Sequence, residues 1–328
     1  MNGSGSPLLA ISELVVDFAS GGRTLRAVNG VSLEVGRGEF VGVVGESGCG
    51  KTVTGLSVLR LLPGTARVTG QVVFQGCDLL GVPERQLRAI RGRRISMIFQ
   101  DPSSSLNPVF TVRSQLRRVI TEHLRVSGAE ASAKAGQVLE SVGLGDVDRI
   151  LAAYPHQLSG GQKQRVMIAM ALACEPDLLI ADEPTTALDV TIQAQILTLL
   201  RDLRDRLGIS VLLITHDLGV VAQVCDRVAV MYAGRVIETG PATAFDSPGH
   251  PYTRGLKAAV PQPGVRRGEL VAIPGTVPAN PGAVAGCAFA PRCPEVMALC
   301  RESTPVLRPA GTPEHRSACF LTGIGAGR

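Results

Sequence analysis

A glycine-rich run that ends in a lysine and a threonine is the clearest candidate for chemistry in this sequence. It reads Gly45-Glu46-Ser47-Gly48-Cys49-Gly50-Lys51-Thr52 and fits the pattern G-x-x-x-x-G-K-[ST]. Glycines let successive backbone N–H groups curl around a polyphosphate, and the start of a following helix adds a favourable dipole. Lys51 is placed to bridge the outer phosphates and Thr52 to ligate Mg²⁺. The run therefore predicts a nucleotide phosphate site.

Two carboxylates that end an apolar run are the second candidate. Asp182 and Glu183 directly follow Leu178-Leu179-Ile180-Ala181. If that run is a strand, both side chains lie at the carboxyl edge of a sheet, where ligands of α/β folds bind. Asp182 suits a direct or water-mediated contact with Mg²⁺, and Glu183 is placed to orient or deprotonate an attacking water. The alternative is a solvated strand end or a helix cap, and the phosphate run favours the hydrolytic role.

The elements that must position these residues alternate along the chain. Between Leu8 and Tyr232, short β-branched runs are separated by longer helical patterns, which is typical of a parallel α/β sheet. The phosphate run follows the strand candidate 40–44 and precedes a helical run, as its pattern requires. From about 101 to 165 the pattern is helical without a convincing strand, which predicts a helical lobe inserted into the sheet domain.

The composition changes after Gly240, where proline and glycine become dense and helical periodicity weakens. We therefore predict an α/β domain over 8–240 and a small cysteine-containing domain over 241–328. The chain has no internal repeat of fixed period.

The overall composition excludes several classes of protein. With 45% hydrophobic and 19% charged residues among 328, the chain is too apolar to be disordered. It has 8 Phe, 3 Tyr and no Trp, which disfavours a protein that stacks bases. The net charge of +5 comes without the basic stripe of a dedicated DNA-binding domain, so no nucleic-acid partner is expected. The N-terminus has no secretory pattern and no apolar run is long enough to span a bilayer.

A five-residue motif ahead of the carboxylate run makes the site recognisable. It reads Leu158-Ser159-Gly160-Gly161-Gln162. This motif is similar to the signature of ATP-binding-cassette (ABC) proteins. Further matches to that family are Gln100 after an apolar run, the dimer loop Ala187-Leu188-Asp189 and the switch histidine His216. The chain thus resembles a P-loop NTPase of the ABC type.

The resemblance implies ATP hydrolysis between two cassettes. The start of the signature helix would reach the γ-phosphate of a nucleotide held by a facing subunit, with Asp189 at the dimer contact. Glu183, His216 and Gln100 would be catalytic, and Thr52, Gln100 and Asp182 would serve Mg²⁺. The residues expected to contact the nucleotide are Gly45, Ser47, Gly48, Cys49, Gly50, Lys51, Thr52, Gln100, Asp182, Ser159, Gly160, Gly161, Gln162, Asp189 and Phe18.

The adenine contact has one aromatic candidate, Phe18, because the family usually offers an aromatic residue ahead of the second strand. A core phenylalanine at the end of the first strand is the alternative for that side chain.

Four cysteines in the C-terminal part form a possible soft-metal site. Cys287, Cys293, Cys300 and Cys319 are spaced C-x5-C-x6-C-x18-C. Disulfides are disfavoured in a reducing compartment. The spacing lacks the C-x(2-4)-C knuckle of a typical zinc site, whereas Cys293-Pro294 is similar to the Cys-Pro of some iron–sulfur runs. Spacing alone does not decide between an iron–sulfur cluster, a zinc ion and the absence of a metal.

The C-terminal segments extend the resemblance to one branch of the family. They are His250-Pro251-Tyr252-Thr253-Arg254-Gly255-Leu256, Ile273-Pro274-Gly275-Thr276-Val277-Pro278 and Cys287-Ala288-Phe289-Ala290-Pro291-Arg292-Cys293-Pro294. They look like the extension of oligopeptide and dipeptide importer ATPases, which nickel and glutathione importers share. The resemblance implies that the four cysteines hold a [4Fe-4S] cluster.

For the whole chain, the resemblance implies an ATPase subunit of an importer, peripheral on the cytoplasmic face of the membrane. Its partners would be a second ABC ATPase subunit, two transmembrane permease subunits and an extracytoplasmic substrate-binding protein. A soluble ABC-type ATPase that acts on DNA or ribosomes is the alternative, and the single cassette with an uninterrupted lobe favours import.

Overall fold

The computed structural model describes residues 6–101, 105–186, 188–260 and 272–322. The chain divides into two compact units. The first unit comprises Met1–Val35, Phe40–Gly81 and Ile214–Arg328, and the second comprises Gly36–Glu39 and Val82–Leu213.

The bounds of the elements are as follows. The strands are β1 (Leu9–Ser20), β2 (Arg23–Val35), β3 (Phe40–Val44), β4 (Ala66–Phe74), β5 (Cys77–Asp78), β6 (Ile95–Ile98), β7 (Leu178–Asp182), β8 (Ser210–Thr215), β9 (Arg227–Tyr232), β10 (Arg235–Pro241), β11 (Arg308–Ala310) and β12 (Thr312–Ser317). The helices are α1 (Lys51–Val58), α2 (Glu84–Ile90), α3 (Val112–Leu124), α4 (Gly128–Ser141), α5 (Val147–Ala152), α6 (Gly160–Leu172), α7 (Val190–Leu207), α8 (Leu218–Val224), α9 (Pro251–Ala259) and α10 (Ala298–Glu302). Single 3₁₀ turns cover Pro155–Gln157, Ala242–Asp246, Pro281–Ala283 and Ala290–Arg292.

The first unit contains a four-stranded antiparallel sheet in the order β2-β1-β4-β5. It also contains strands in the order β11-β12-β10-β9-β3, of which β9 and β3 pair in parallel. Every residue of β3 is buried, as expected of a parallel strand covered on both faces. The apolar residues of β3 are therefore part of the core, and the phosphate run begins directly after them.

The sequence pattern predicts no strand over residues 23–35, where the structure has the long strand β2. Its residue Gly30 has a φ of 80°, and the register with β1 jumps from Val31 opposite Leu14 to Asn29 opposite Val15. Gly30 is thus the extra residue of a β-bulge. Its positive φ is one that residues with a side chain rarely adopt, so a glycine here lets the strand continue.

The second unit contains β6, β7 and the beginning of β8 in the order β8-β7-β6, with β6 and β7 parallel. All five residues of β7 are buried. The described residues from 105 to 165 form helices and turns and no strand, which is what the helical pattern there predicted. Ser127 and Glu130 form a reciprocal capping box at the start of α4, which fixes where that helix begins.

A buried carboxylate joins distant parts of the first unit. Glu238 on β10 has no solvent exposure. Its oxygens accept hydrogen bonds from the backbone N–H groups of Gly249, at 2.5 Å, and His250, at 3.1 Å. Its Oε1 also lies 2.7 Å from Nε2 of His315 on β12. These three partners supply the polar contacts that a buried carboxylate needs.

Across the described residues, no helix combines the length and the apolar character needed to cross a lipid bilayer.

Candidate functional site

The phosphate run forms a loop between β3 and α1, and its glycines are required by close backbone contacts. A Cβ on Gly45 would lie 2.2 Å from the carbonyl oxygen of Met231. Gly50 has a φ of 103°, and a Cβ there would lie 2.6 Å from the carbonyl oxygen of Ala27. Neither position accepts a side chain. The loop is therefore built so that its backbone N–H groups can approach an anion closely.

Lys51 is turned into this loop. Its side chain is buried, and Nζ donates to the carbonyl oxygens of Gly45 at 2.7 Å and Glu46 at 3.0 Å. The neighbouring Thr52 is exposed, as are Ser47 and Gly48. Cys49 is buried, and burial raises the pKa of its thiol above the ordinary value. The side chain of Cys49 in the loop is therefore an uncharged thiol.

The two carboxylates stand at the end of β7, as the sequence predicted. Asp182 is 2% exposed. Glu183 follows with a φ of 46°, a left-handed conformation that is uncommon for a residue with a side chain. The chain therefore turns at Glu183, directly after the strand.

Glu183 is held by two side chains of the second unit. Nε2 of Gln100 donates to Oε2 of Glu183 at 3.0 Å, and Oγ1 of Thr186 donates to the same oxygen at 2.8 Å. Gln100 and Glu183 are 83 residues apart in the chain, so the fold brings together two of the three predicted catalytic residues. The sequence reasoning missed Thr186. Its only signal was its position three residues after Glu183, from which a hydroxyl can reach back.

The signature motif caps helix α6. The Ser159 hydroxyl accepts a hydrogen bond from the Gln162 N–H at 3.3 Å, and Oε1 of Gln162 accepts one from the Ser159 N–H at 3.0 Å. Ser159 and Gly160 are exposed, whereas Gly161 is half-buried. The helix thus begins at the surface with its positive end accessible, an arrangement that suits an anion.

The remaining predicted residues lie in different surroundings. Asp189 is exposed and caps α7, its Oδ1 accepting a hydrogen bond from the Ile192 N–H at 3.0 Å. Ala187 of the dimer loop lies outside the described residues. His216 is exposed just after β8. Phe18 is half-buried on β1, opposite Leu25 of β2.

The expectation of an iron–sulfur or zinc site is wrong. Cys287, Cys293, Cys300 and Cys319 are free thiols that line one cavity of about 10 Å³, room for roughly one water molecule. In the part of the chain that the structure describes, no group of three or more His, Cys, Asp or Glu side chains is arranged to hold a metal ion. Burial raises the pKa of Cys287, Cys293 and Cys319, which favours neutral thiols over the thiolates that metals bind.

Comparison with known protein families matches two parts of the chain. Residues 28–186 match the model of the ABC transporter family. Residues 237–300 match the oligopeptide/dipeptide transporter C-terminal region.

Curated proteins resemble the chain over nearly its whole length. A protein of Sinorhizobium fredii named as a probable peptide ABC transporter ATP-binding protein is 54% identical over 319 residues, which cover 95% of this chain and 94% of the relative. The dipeptide transport ATP-binding protein DppD of Bacillus subtilis is 50% identical over 296 residues, covering 89% and 88% of the two chains.

Solved structures share the fold. A dimeric ATP-binding cassette in a post-hydrolysis state, bound to ADP and Pi, superposes with a TM-score of 0.64 at 29% identity, covering 71% of this chain and 98% of the other. A Clostridium perfringens cassette of the ABC transporter complex cbiONQ gives a TM-score of 0.63 at 29% identity, covering 74% and 92%.

Proposed function

Because this chain belongs to the ABC transporter family of ATP-binding proteins, we propose that it binds and hydrolyses ATP to drive peptide uptake by an importer complex. The observation that carries the ATPase part is the carboxylate of Glu183, held at the end of β7 by Gln100 and Thr186. The match of residues 237–300 to the oligopeptide/dipeptide transporter C-terminal region supports the peptide part.

The phosphate loop would hold the nucleotide through its backbone. We assign its N–H groups and Lys51 to the phosphates, with Phe18 as the candidate for adenine. The loop residues in this role are Gly45, Ser47, Gly48, Cys49, Gly50 and Thr52. Since Lys51 already reaches two loop carbonyls, at 2.7 and 3.0 Å, it lies within the loop that the phosphates would enter.

Mg²⁺ accompanies ATP in this family, and oxygen donors are the ligands it prefers. In the first unit the hydroxyl of Thr52 is exposed and offers such a donor. In the second unit, Asp182 and Gln100 offer a carboxylate and an amide oxygen. When bound, the ion would neutralise charge that develops on the phosphates.

Hydrolysis needs a group that takes a proton from the attacking water, and we assign this role to Glu183. A carboxylate within hydrogen-bond reach of water acts as a general base. Gln100 and Thr186 both donate to its Oε2, which orients the carboxylate. We assign to His216 the stabilisation of charge on the γ-phosphate.

The proposal includes a second cassette, identical or related. Its nucleotide would meet the exposed start of α6 in this chain, through Ser159, Gly160, Gly161 and Gln162, with Asp189 at the contact. The helix start is a surface that supplies N–H groups to an anion, which supports this role.

The wider complex is proposed from the same relationship. Two permease subunits and an extracytoplasmic binding protein would complete it, with this chain peripheral on the cytoplasmic face. Residues 8–240 would form the cassette and 241–328 the extension. The relatives carry transport names, which favours import over an ATPase that acts on DNA or ribosomes.

The test is uptake in the native host by wild type and Glu183→Gln. The panel consists of labelled dipeptides, longer peptides, glutathione and Ni²⁺, and Glu140→Gln on the exposed side of α4 is the matched control. Loss of peptide uptake in Glu183→Gln alone supports the proposal. Peptide uptake at the wild-type level in a strain without other peptide importers overturns it, and loss of only glutathione or Ni²⁺ uptake overturns the peptide assignment.

A further inference from the structure

The second residue of the phosphate loop, Glu46, is held by side chains from the C-terminal part of the first unit. The hydroxyl of Tyr252 accepts a hydrogen bond from the Glu46 N–H at 2.9 Å. The guanidinium of Arg292 donates to both carboxylate oxygens of Glu46, at 2.8 and 3.1 Å. We propose that Tyr252 and Arg292 are positioning residues that hold the phosphate loop in its nucleotide-binding shape before ATP arrives.

Arg292 is itself fixed by its surroundings. Its side chain is 6% exposed, while that of Glu46 is 27% exposed. Nε donates to the carbonyl oxygen of Pro274 at 2.7 Å, and a terminal nitrogen donates to that of Ile273 at 3.3 Å. The guanidinium carbon lies 5.7 Å from the ring centroid of Tyr232. These contacts hold the planar guanidinium of Arg292 in one orientation, and this fixes the position of the Glu46 carboxylate.

The charge of Arg292 is secure despite its burial. Burial alone would lower the pKa of the guanidinium, but its hydrogen bonds to Glu46 and Tyr232 outweigh that effect and raise the pKa above its ordinary value. The ion pair with Glu46 therefore keeps its cation across the physiological range.

Tyr252 is fixed by packing rather than by charge. It is fully buried on α9, and its ring lies 4.6 Å from that of Tyr232 and 5.4 Å from that of Phe289, centroid to centroid. Burial raises the pKa of its phenol, so the hydroxyl stays protonated and neutral and can accept the Glu46 N–H. The aromatic cluster of Tyr232, Tyr252 and Phe289 thus forms a rigid support behind the loop.

Holding Glu46 also fixes the position of Lys51. The carbonyl oxygen of Glu46 accepts a hydrogen bond from Lys51 Nζ at 3.0 Å, and that of Gly45 accepts another at 2.7 Å. A loop that is already ordered loses less conformational entropy when a ligand binds, so its affinity is higher. The inference rests on the proposed role of this loop as the phosphate site.

The test compares Tyr252→Phe and Arg292→Lys with wild type in the full chain. The first variant removes only the hydroxyl from a buried ring, and the second keeps the charge but loses the fork. Arg254→Lys is the matched control, because Arg254 forms an exposed ion pair with Glu295 at 2.7 Å in the same part of the chain. The measurements are the Kd of a fluorescent ATP analogue, the kcat and KM of ATP hydrolysis, and hydrogen exchange at the amides of residues 46–48.

We expect both variants to raise Kd and KM about five- to tenfold, the worth of about one hydrogen bond, with kcat within twofold of wild type. Exchange at the loop amides becomes faster, and the control variant matches wild type. Wild-type Kd and KM in both variants, or a fall in kcat alone, overturns the inference. Lys51→Ala separates the two hypotheses: if it binds ATP normally, the phosphate-site proposal itself fails; if it loses ATP while Tyr252→Phe does not, only the positioning role fails.

Discussion

The hydroxyl of Thr186 gives the sharpest test of how Glu183 is oriented. Thr186→Val removes this hydroxyl and keeps a β-branched side chain of similar shape. The change deletes the 2.8 Å hydrogen bond to Oε2 and leaves the 3.0 Å contact from Gln100. Glu183 keeps its carboxylate but loses a group that holds its orientation.

The size of the effect follows from these contacts. A hydrogen bond to a charged group is worth about 1.5–3 kcal/mol. If all of it is expressed in the transition state, kcat falls about 10- to 100-fold, because each 1.36 kcal/mol is a factor of ten in rate. The upper limit is the fall in kcat expected when the base itself is removed, about 10²- to 10⁴-fold. Since the Gln100 contact remains, we expect a fall near tenfold with the ATP Kd unchanged.

The assay is steady-state ATP hydrolysis with a parallel binding measurement. Thr198→Val, an exposed threonine on α7 in the same unit, is the control and should match wild type. In a Glu183→Gln background, Thr186→Val should have no further effect, because the two residues act through one group. A kcat within twofold of wild type, or full additivity in the double variant, would refute the positioning of Glu183 by Thr186.

Three other outcomes are expected. Glu183→Gln should keep ATP binding and lower turnover about 10²- to 10⁴-fold, and near-normal turnover would show that the base lies elsewhere. Lys51→Ala should lose nucleotide affinity in equilibrium binding, since the loop then lacks its cation. Burial, with a smaller effect of the Arg254 charge, lowers the pKa of His250 to about 3, so the folded chain keeps this imidazole neutral. Its contribution to stability is complete above the unfolded pKa of about 6.5 and falls by up to about 1.4 kcal/mol per pH unit as the pH drops from there toward 3. Urea unfolding between pH 7.5 and 5 should show a weaker decline for His250→Asn, which can still cap α9; an unchanged decline contradicts this assignment.

Much of the site could be predicted because its chemistry depends on residue types at short, fixed spacing. The run from Gly45 to Thr52 specifies its own backbone shape, and the apolar residues before Asp182 specify a buried strand. The contact between Gln100 and Glu183 spans 83 residues, and only the resemblance to a family assigned both residues to one site. The contacts of Glu46 with Tyr252 and Arg292 span 206 and 246 residues, and no local pattern encodes them.

Two parts of the structure were not predicted correctly from the sequence, the strand β2 and the state of the four late cysteines, and both have a physical reason. Asn29-Gly30 is a dipeptide that usually marks a hairpin turn, yet here the glycine is a bulge inside β2, since pairing with β1 continues on both sides. The spacing of the four late cysteines said nothing about their burial. The surroundings of Cys287, Cys293 and Cys319 favour thiols over thiolates, and that property depends on the packed structure rather than on sequence separation.

The contact between Glu238 and His315 restricts how chimaeras of this chain with its relatives could be designed. A junction near Pro241 would take Glu238 from one parent and His315 from the other, although the two side chains meet at 2.7 Å with almost no solvent exposure. If the second parent had no hydrogen-bonding side chain at that position, the buried carboxylate would lose one of its three partners. A junction before β10 keeps Glu238 and His315 in one parent, whereas the junction that composition suggests separates them.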